Sequence, residues 1–316
     1  MSGSPPAELD DRISELLRAL EAGLGAVVLG KSAQVRLAAA ALLAGEHLLL
    51  NDLPGVGKTS LAAAVARVAE GDFGRVQGTP DLLPSDLTGM SIYNNGDGSW
   101  TFRPGPLMAN VVLVDEINRI TPRTQSALLE AMAEGQVTVD GETRPVASPF
   151  LVVATMNPIG SAGTFPLTVG QLDRFGATIG LGPADRETER RLLRGQGGPE
   201  VAERLSPVLT NGLLPMLRDL VSVVHVADGV VDYVLDVCDA LRTHGHLSTR
   251  AARSLLSLSR SLALFDGRMY VVPDDVKSLA VPCLAHRLAA EGERIDTHHA
   301  RVRSAVEELP VPDVQS

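Results

Sequence analysis

Cysteine and aromatic residues are scarce in this chain. Its 316 residues include two cysteines, Cys238 and Cys283, which are far apart in apolar, helix-like stretches. Such a pair is typical of buried free thiols, so the sequence favours neither a disulfide framework nor a metal site built on cysteine. Aromatic residues make up only 3% of the chain, and Trp100 is the single tryptophan.

Long apolar runs and an excess of positive charge are also missing. No uninterrupted apolar run reaches the roughly 18 residues of a membrane span, and the N-terminus MSGSPPAELDD is acidic where a secretory signal would be basic. We therefore expect a soluble, cytoplasmic protein without membrane insertion. The formal net charge of −10 argues against a generally basic nucleic-acid surface but not against a local one.

Hydrophobic residues, at 45%, suffice for one large core or two smaller ones, and we expect two domains. Residues 1–11 are rich in proline, serine and acids, which predicts a disordered N-terminus. Three short, continuous apolar runs follow at residues 48–50, 111–114 and 151–154, with helical patterns between them. Continuous runs are typical of strands buried on both faces, so residues 12–190 are predicted to form an α/β domain with a mainly parallel sheet.

Two hairpins interrupt this pattern. The first turns at Asn95-Gly96 and carries Tyr93, Trp100 and Phe102, and the second turns at Asp140-Gly141. Surface decoration is the simpler interpretation of both, and a contact surface is the alternative for the aromatic hairpin.

Helical periodicity replaces strand signals after about Asp185. Apolar residues recur at three- and four-residue spacings over residues 213–226, 229–241, 250–264 and 273–289. Residues 191–316 are therefore predicted to form a helical second domain.

The most informative segment is NDLPGVGKTS, residues 51–60, which lies between the first apolar strand and a helical stretch. Glycines in this position let backbone N–H groups curl around phosphate oxygens, and the following helix N-terminus favours an anion. Lys58 would reach the β- and γ-phosphates, and the Thr59 hydroxyl would bind Mg²⁺. The predicted nucleotide contacts in this loop are Pro54, Gly55, Val56, Gly57, Lys58, Thr59 and Ser60.

One position departs from the phosphate-loop pattern, because Asp52 stands where its first glycine belongs. Aspartate tolerates unusual backbone angles better than most residues, so the turn can survive. A carboxylate this near phosphates would nevertheless be expected to weaken nucleotide binding.

Polar side chains follow the other two predicted strands. Asp115 and Glu116 end the run VVLVDE, where a carboxylate is costly unless an ion or a reaction uses it. Beside a phosphate loop, Asp115 would hold Mg²⁺ and Glu116 would polarise the attacking water. Asn157 ends the third strand, and its amide would orient water beside the acid pair if the strands are adjacent.

These motifs resemble the AAA+ ATPases, and within them the MoxR family. The resemblance covers about residues 12–290 and rests on five further stretches. They are RVQGTPDLLPSDLTGM, FRPGPLMANVVLVDEINR, TPRTQSALLEAMAEGQVTVDG, LVVATMNP and QLDRF. It implies an AAA+ α/β nucleotide-binding domain followed by a helical lid, with Lys58 and Thr59 in Walker A and Asp115 and Glu116 in Walker B.

The resemblance also implies roles for residues that spacing alone would not single out. Asn157 matches the sensor 1 residue, and Arg174 matches the arginine finger, which acts on the nucleotide of the adjacent subunit. Arg250 matches the sensor 2 arginine that approaches the γ-phosphate from the lid, with Arg253 as an alternative.

Other matches and departures concern the edges of the site. Val28 and Gly30 resemble the segment that lines the adenine, and Arg119 could face a neighbouring subunit. The chain departs from the family at residues 168–171 and at Met156, and these changes, with Asp52, put the turnover rate in doubt.

The resemblance implies Mg²⁺-dependent ATP hydrolysis in a homo-oligomeric ring, expected to be a hexamer. The ring would remodel or activate protein complexes as a chaperone, with a von Willebrand factor A domain protein as a partner. One alternative is an assembly switch that binds ATP but hydrolyses it slowly because of Asp52. A DNA-directed motor is another, although its hairpin offers only Arg144 against Asp140 and Glu142.

Overall fold

A computed structural model describes residues 9–52, 55–156, 163–210, 212–245, 247–288 and 295–312. The predicted disordered N-terminus lies almost entirely outside these ranges. The described strands are β1 (Leu48–Asn51), β2 (Phe73–Gln77), β3 (Gly89–Asn94), β4 (Ser99–Pro104), β5 (Val111–Asp115), β6 (Gln136–Val139), β7 (Glu142–Pro145), β8 (Leu151–Met156) and β9 (Ala177–Ile179).

Thirteen α-helices are described in the same ranges. They are α1 (Asp11–Val27), α2 (Ser32–Ala44), α3 (Lys58–Val68), α4 (Pro84–Thr88), α5 (Pro122–Glu134), α6 (Val169–Leu172), α7 (Arg186–Leu193), α8 (Pro199–Arg204), α9 (Leu213–Val223), α10 (Asp228–Arg242), α11 (Thr249–Phe265), α12 (Pro273–Leu284) and α13 (Ile295–Glu308). Short 3₁₀ turns occupy Pro106–Met108, Ile117–Arg119 and Ala285–Leu288.

The central sheet has the strand order β2-β5-β8-β1-β9, and all its pairs are parallel. The predicted parallel sheet is confirmed, and the three apolar runs form its centre. Successive side chains of these strands point to opposite faces of the sheet and pack into two separate hydrophobic clusters. Leu48 and Leu50 pack on one face and Leu49 on the other. Helices α1 to α3 cover the first face and α5 the second, so the strands are buried on both faces.

Both predicted hairpins form. In β3–β4, Tyr93 pairs with Trp100 across the ladder, and 71% of the Trp100 surface is exposed. In β6–β7, Asp140 and Gly141 take positive φ angles of 53° and 80°, as a two-residue hairpin turn requires. The Arg144 guanidinium lies 4.2 Å from the centre of the Phe102 ring, so the two hairpins touch.

The C-terminal part of the described chain is helical, as predicted, with differences at two helix ends. The helix expected to reach residue 226 ends at Val223, because His225 pairs with Tyr270 in an isolated bridge. The helix expected to reach residue 289 ends as α-helix at Leu284, two residues after Pro282, which has no N–H to donate.

These helices pack into the same core as α1 and α2, and α11 lies against α2. Both cysteines are buried free thiols, as predicted, and burial raises the pKa of Cys238 to about 11 and that of Cys283 to about 12. Among the described helices, none is both long and apolar enough to cross a membrane.

Candidate nucleotide site

A cleft of about 700 Å³ opens at the carboxyl ends of β1, β5 and β8. The phosphate loop forms its floor, with Gly55 and Gly57 at φ angles of 85° and 99°, which only glycine adopts readily. Helix α3 begins at Lys58, so its N-terminal N–H groups face the cleft. The predicted residues that line it are Val28, Gly55, Val56, Gly57, Lys58, Thr59, Ser60, Asp115 and Glu116. Pro54 and Asn157 lie outside the described residues.

Lys58 is the cation of this cleft's floor. Its Nζ donates a 2.8 Å hydrogen bond to the backbone carbonyl of Asp52, which holds the side chain across the phosphate loop. Burial lowers the pKa of Lys58, and the charges of Asp52, Asp115 and Glu116 oppose that shift. The three carboxylates therefore favour the charged ammonium, which is the form that can bind a phosphate.

The Asp52 carboxylate is anchored outside the phosphate loop. Its Oδ2 accepts a 2.7 Å hydrogen bond from the backbone N–H of Gly182, in the segment that follows β9. Lys31 Nζ donates to the carbonyl of Pro183 in the same segment, at 2.8 Å. The residue that breaks the glycine pattern thus ties the loop to the far wall of the cleft.

Asp115 lies at the end of β5 with hydrogen-bond donors around it. Arg75 on β2 donates to Asp115 Oδ2 from Nη2 at 2.9 Å and from Nε at 3.2 Å. Thr155 on β8 donates to Asp115 Oδ1 at 3.4 Å. A carboxylate together with the Thr59 hydroxyl is the hard oxygen ligand set that Mg²⁺ prefers, so these residues fit that ion.

Glu116 is held in an unusual backbone conformation next to Asp115. Its φ angle is +55°, and its N–H donates to Thr155 Oγ1 at 2.9 Å. Its Oε2 accepts from Arg119 Nη1 at 3.0 Å and from Gln77 Nε2 at 3.4 Å. The polar ends of three neighbouring strands therefore fix both acids at one edge of the sheet.

Gly78 closes this arrangement from the side of β2. Its N–H donates to the Asp115 carbonyl at 2.7 Å, and a Cβ here would lie 2.3 Å from the Glu116 carbonyl oxygen. Sequence reasoning missed Arg75, Gln77 and Gly78. The signal that could have found them is the segment FGRVQG, in which the polar residues Arg75 and Gln77 alternate with other residues as in an edge strand.

The opposite end of the cleft is apolar. Val27, Val28 and Leu29 form one wall, and α7 and α8 form the other with Leu192 and Pro199. Gly30 packs behind this wall with a φ of +70°, and a Cβ there would lie 2.7 Å from Thr188 Oγ1. The side chains that line this end are therefore largely apolar.

The predicted arginines do not line this cleft. Arg174, Arg250 and Arg253 meet instead in a second pocket of about 420 Å³, together with Arg260 and Glu46. Arg174 Nη1 donates to the Gly170 carbonyl at 2.9 Å, and its buried Nε has no hydrogen-bond partner among the described residues.

Arg250 thus lies in the second pocket and not at the cleft of its own subunit, and its predicted approach to a γ-phosphate stays a prediction. Helix α11 packs on α2, which brings its first turns beside the turn between α2 and β1 instead of the phosphate loop. Ser254 on α11 donates to Glu46 Oε2 in that turn, at 2.9 Å.

Family models and relatives match most of the chain. Residues 47–177 match the ATPase family associated with various cellular activities (AAA), and residues 238–308 match an AAA lid domain. The chain is 39% identical to the chaperone MoxR1 of Mycobacterium tuberculosis over 83% of its own length and 72% of that protein. It is 32% identical to the MoxR protein of Paracoccus denitrificans over 96% of its own length and 99% of that protein.

A solved structure shares the whole architecture. The crystal structure of a candidate ATPase from Cytophaga hutchinsonii superimposes with a TM-score of 0.82 at 30% identity and covers 96% of both chains. The chain belongs to the MoxR family of AAA+ ATPases.

Proposed function

We propose that this protein hydrolyses ATP with Mg²⁺ and uses the energy to remodel protein complexes. The observation that carries the proposal is the cleft itself, in which phosphate loop, acid pair and apolar base site converge. Val28 would contact the adenine, with Gly30 shaping the wall behind it. Backbone groups of residues 54–60 would bind the phosphates.

The side chains divide the chemistry between them. Thr59 and Asp115 would hold Mg²⁺, which would supply positive charge to offset that of the phosphates. Glu116 would orient the attacking water, with the amide of Asn157 beside it. Lys58 would offset the negative charge that develops on the γ-phosphate.

The second pocket supports a ring. Its arginines lie apart from the cleft of their own subunit, so they do not add their charge to that of Lys58 on a phosphoryl group bound there. In a head-to-tail ring, Arg174 and Arg250 would instead face the nucleotide of the neighbour. We propose a hexamer, with residues 12–190 as the nucleotide domain and residues 191–316 as the lid.

A protein client fits this family, since one relative is named a chaperone. A von Willebrand factor A domain partner and a cytoplasmic location belong to the same proposal. A DNA-directed motor has less support, because the hairpin cation Arg144 is already paired with Glu142 and packed on Phe102.

The test is the ATPase rate per subunit against protein concentration, with ring formation followed by light scattering. We expect the rate to rise as rings form, and both Glu116→Gln and Arg174→Ala to abolish turnover while Glu116→Gln still binds ATP. A rate independent of concentration, with Arg174→Ala fully active, would contradict the shared site. Rings that bind ATP but scarcely turn it over would favour the assembly switch.

A further inference from the structure

The arginines of the second pocket belong to two separate elements. Arg174 follows the short helix α6, whereas Arg250 and Arg253 lie in the first turns of α11. A joint action on one phosphate group requires a fixed distance between these elements. Asp173 supplies the connection, because it directly precedes Arg174 in the chain and its side chain bonds to the start of α11.

The Asp173 carboxylate uses one oxygen for each neighbour. Its Oδ2 accepts a 2.8 Å hydrogen bond from Ser248 Oγ, and its Oδ1 accepts one of 3.0 Å from Arg287 Nε. Ser248 is the N-cap of α11, and its Oγ also accepts from the N–H of Ala251 at 3.3 Å. The start of α11 is thus attached directly to the segment that carries Arg174.

Arg287 provides the rigid part of the connection. Its side chain is 1% exposed, and its remaining donors reach the carbonyls of Asp173 and Gly176 at 3.3 Å and Ser254 Oγ at 3.4 Å. It also donates to the carbonyl of Cys283. A buried guanidinium with this many partners holds one geometry, since losing a partner leaves part of a charge unsatisfied.

Glu46 makes a second connection between the same elements. It accepts from Ser254 on α11, and burial raises the pKa of its carboxyl, opposed by that hydrogen bond and by nearby arginines. The backbone of Gly176 passes so close that a Cβ there would lie 2.4 Å from Glu46 Oε2. The segment that carries Arg174 therefore packs against both Arg287 and Glu46, which share Ser254 as a hydrogen-bond partner.

We propose that Asp173, Ser248 and Arg287 form a positioning unit that fixes Arg174 and Arg250 relative to each other, so that both act together on the neighbouring subunit's nucleotide. This inference rests on the proposed function, in which these arginines complete the neighbour's site. Asp173 is a positioning residue and touches no nucleotide. Its loss should impair a subunit as an arginine donor while leaving its own cleft intact.

The alternative is that the unit only stabilises the fold. An experiment that mixes variant subunits distinguishes this stabilising role from the positioning role. A Glu116→Gln subunit has an inactive cleft but intact arginines. An Arg174→Ala subunit has an intact cleft but lacks one of the arginines. When they are mixed equally, about a quarter of the sites in random rings combine a sound cleft with sound arginines, since each site is built by two neighbours. Recovery of activity in this mixture is the control for the shared site.

The test variant is Asp173→Asn. Alone, we expect its turnover number to fall by about a hundredfold, as for a misplaced catalytic group, with ATP binding retained. Mixed with Glu116→Gln, it should recover activity as Arg174→Ala does. Mixed with Arg174→Ala, it should not recover, because both subunits then lack effective arginines. Asp173→Glu, which retains the carboxylate, should restore part of the turnover.

Two further variants keep folding from obscuring the result. Asp275→Asn breaks the Arg268–Asp275 pair, another largely buried pair in the helical region, away from the second pocket. When this variant is mixed with Glu116→Gln or with Arg174→Ala, the activity should match that of wild-type subunits in the same mixtures. The Asp173→Asn/Arg287→Met double variant removes both charges, so it should fold stably and still fail as a donor.

The outcomes are distinguishable. If Glu116→Gln and Arg174→Ala fail to recover each other, the shared site itself is wrong. If they do recover but Asp173→Asn keeps wild-type turnover, or recovers with Arg174→Ala and not with Glu116→Gln, the positioning unit is overturned. Wild-type turnover in the double variant would overturn it as well.

Discussion

The Asp52 carboxylate accepts a 2.7 Å hydrogen bond from the backbone N–H of Gly182, which joins the phosphate loop to the segment after β9. The carboxylate is thereby occupied in holding the cleft together. Lys58 uses the carbonyl of the same residue, so both the side chain and the backbone of Asp52 shape the loop.

We therefore expect Asp52→Gly to destabilise the protein without accelerating hydrolysis. The lost hydrogen bond to a charged acceptor is worth about 1–2 kcal/mol at this partly exposed position. Thermal unfolding and steady-state ATPase rates measure the two effects, and Asp52→Asn, which keeps an acceptor, is the matched control. A several-fold higher rate in Asp52→Gly would contradict this role and support the slow assembly switch.

Arg75 and a divalent cation are expected to compete for Asp115. The guanidinium donates twice to Asp115 Oδ2, the oxygen nearest to it, and its side chain is 54% exposed. An ion pair this exposed contributes up to about 1 kcal/mol, so Arg75→Gln should lower the Mg²⁺ concentration for half-maximal nucleotide binding about two- to fivefold.

The measurement is Mg²⁺-dependent binding of a fluorescent ATP analogue in a Glu116→Gln background, which removes turnover. Arg123→Gln, at an exposed position outside the cleft, is the control. A higher Mg²⁺ requirement in Arg75→Gln would mean that Arg75 binds the nucleotide itself.

Gly78 is expected to be essential for hydrolysis because of the space it leaves. A Cβ would lie 2.3 Å from the Glu116 carbonyl oxygen and 2.6 Å from that of Asp115, so Gly78→Ala must displace the turn that carries both acids. A shift of this size should reduce the turnover number by about a hundredfold. Nucleotide binding should persist, since the phosphate loop is built elsewhere.

Binding and turnover of Gly78→Ala should be measured beside Gly25→Ala, because a Cβ at Gly25 meets no atom within 4 Å. Equal turnover in the two variants would show that the acid pair tolerates the displacement.

The parts of the fold that sequence reasoning found are those with unmixed signals. Continuous apolar runs revealed β1, β5 and β8. The phosphate loop follows β1, and Asp115 and Glu116 lie at the end of β5. Strand β2 escaped because glycine, arginine and glutamine interrupt its apolar residues, and Arg75, Gln77 and Gly78 were missed with it. The position of Arg250 depends on which helix α11 packs against, and periodicity within one helix carries no information about its partner.

His47 is expected to make stability depend on pH. Its Nδ1 accepts from the N–H of Val152 at 3.0 Å and its Nε2 faces the Met132 carbonyl at 3.2 Å, so the buried ring is neutral with the proton on Nε2. Burial lowers its pKa to about 4 from the 6.5 of an unfolded chain, with the Met132 hydrogen bond opposing the shift.

Between pH 4 and 6.5 the unfolded chain binds a proton at His47 that the folded chain does not bind. The contribution of His47 to the free energy of unfolding is therefore complete above pH 6.5 and declines as the pH falls towards 4. Near pH 5 the loss should be about 2 kcal/mol. His286 adds a similar slope, because burial lowers its pKa to about 3.

Urea unfolding at several pH values measures this dependence. The free energy of unfolding should depend less steeply on pH in His47→Asn than in wild type. It should keep the wild-type dependence in His225→Asn, which changes an exposed ring. An unchanged slope in His47→Asn would mean that the folded chain takes up this proton over the same pH range as the unfolded chain, and that the bond from Val152 to Nδ1 does not oppose protonation.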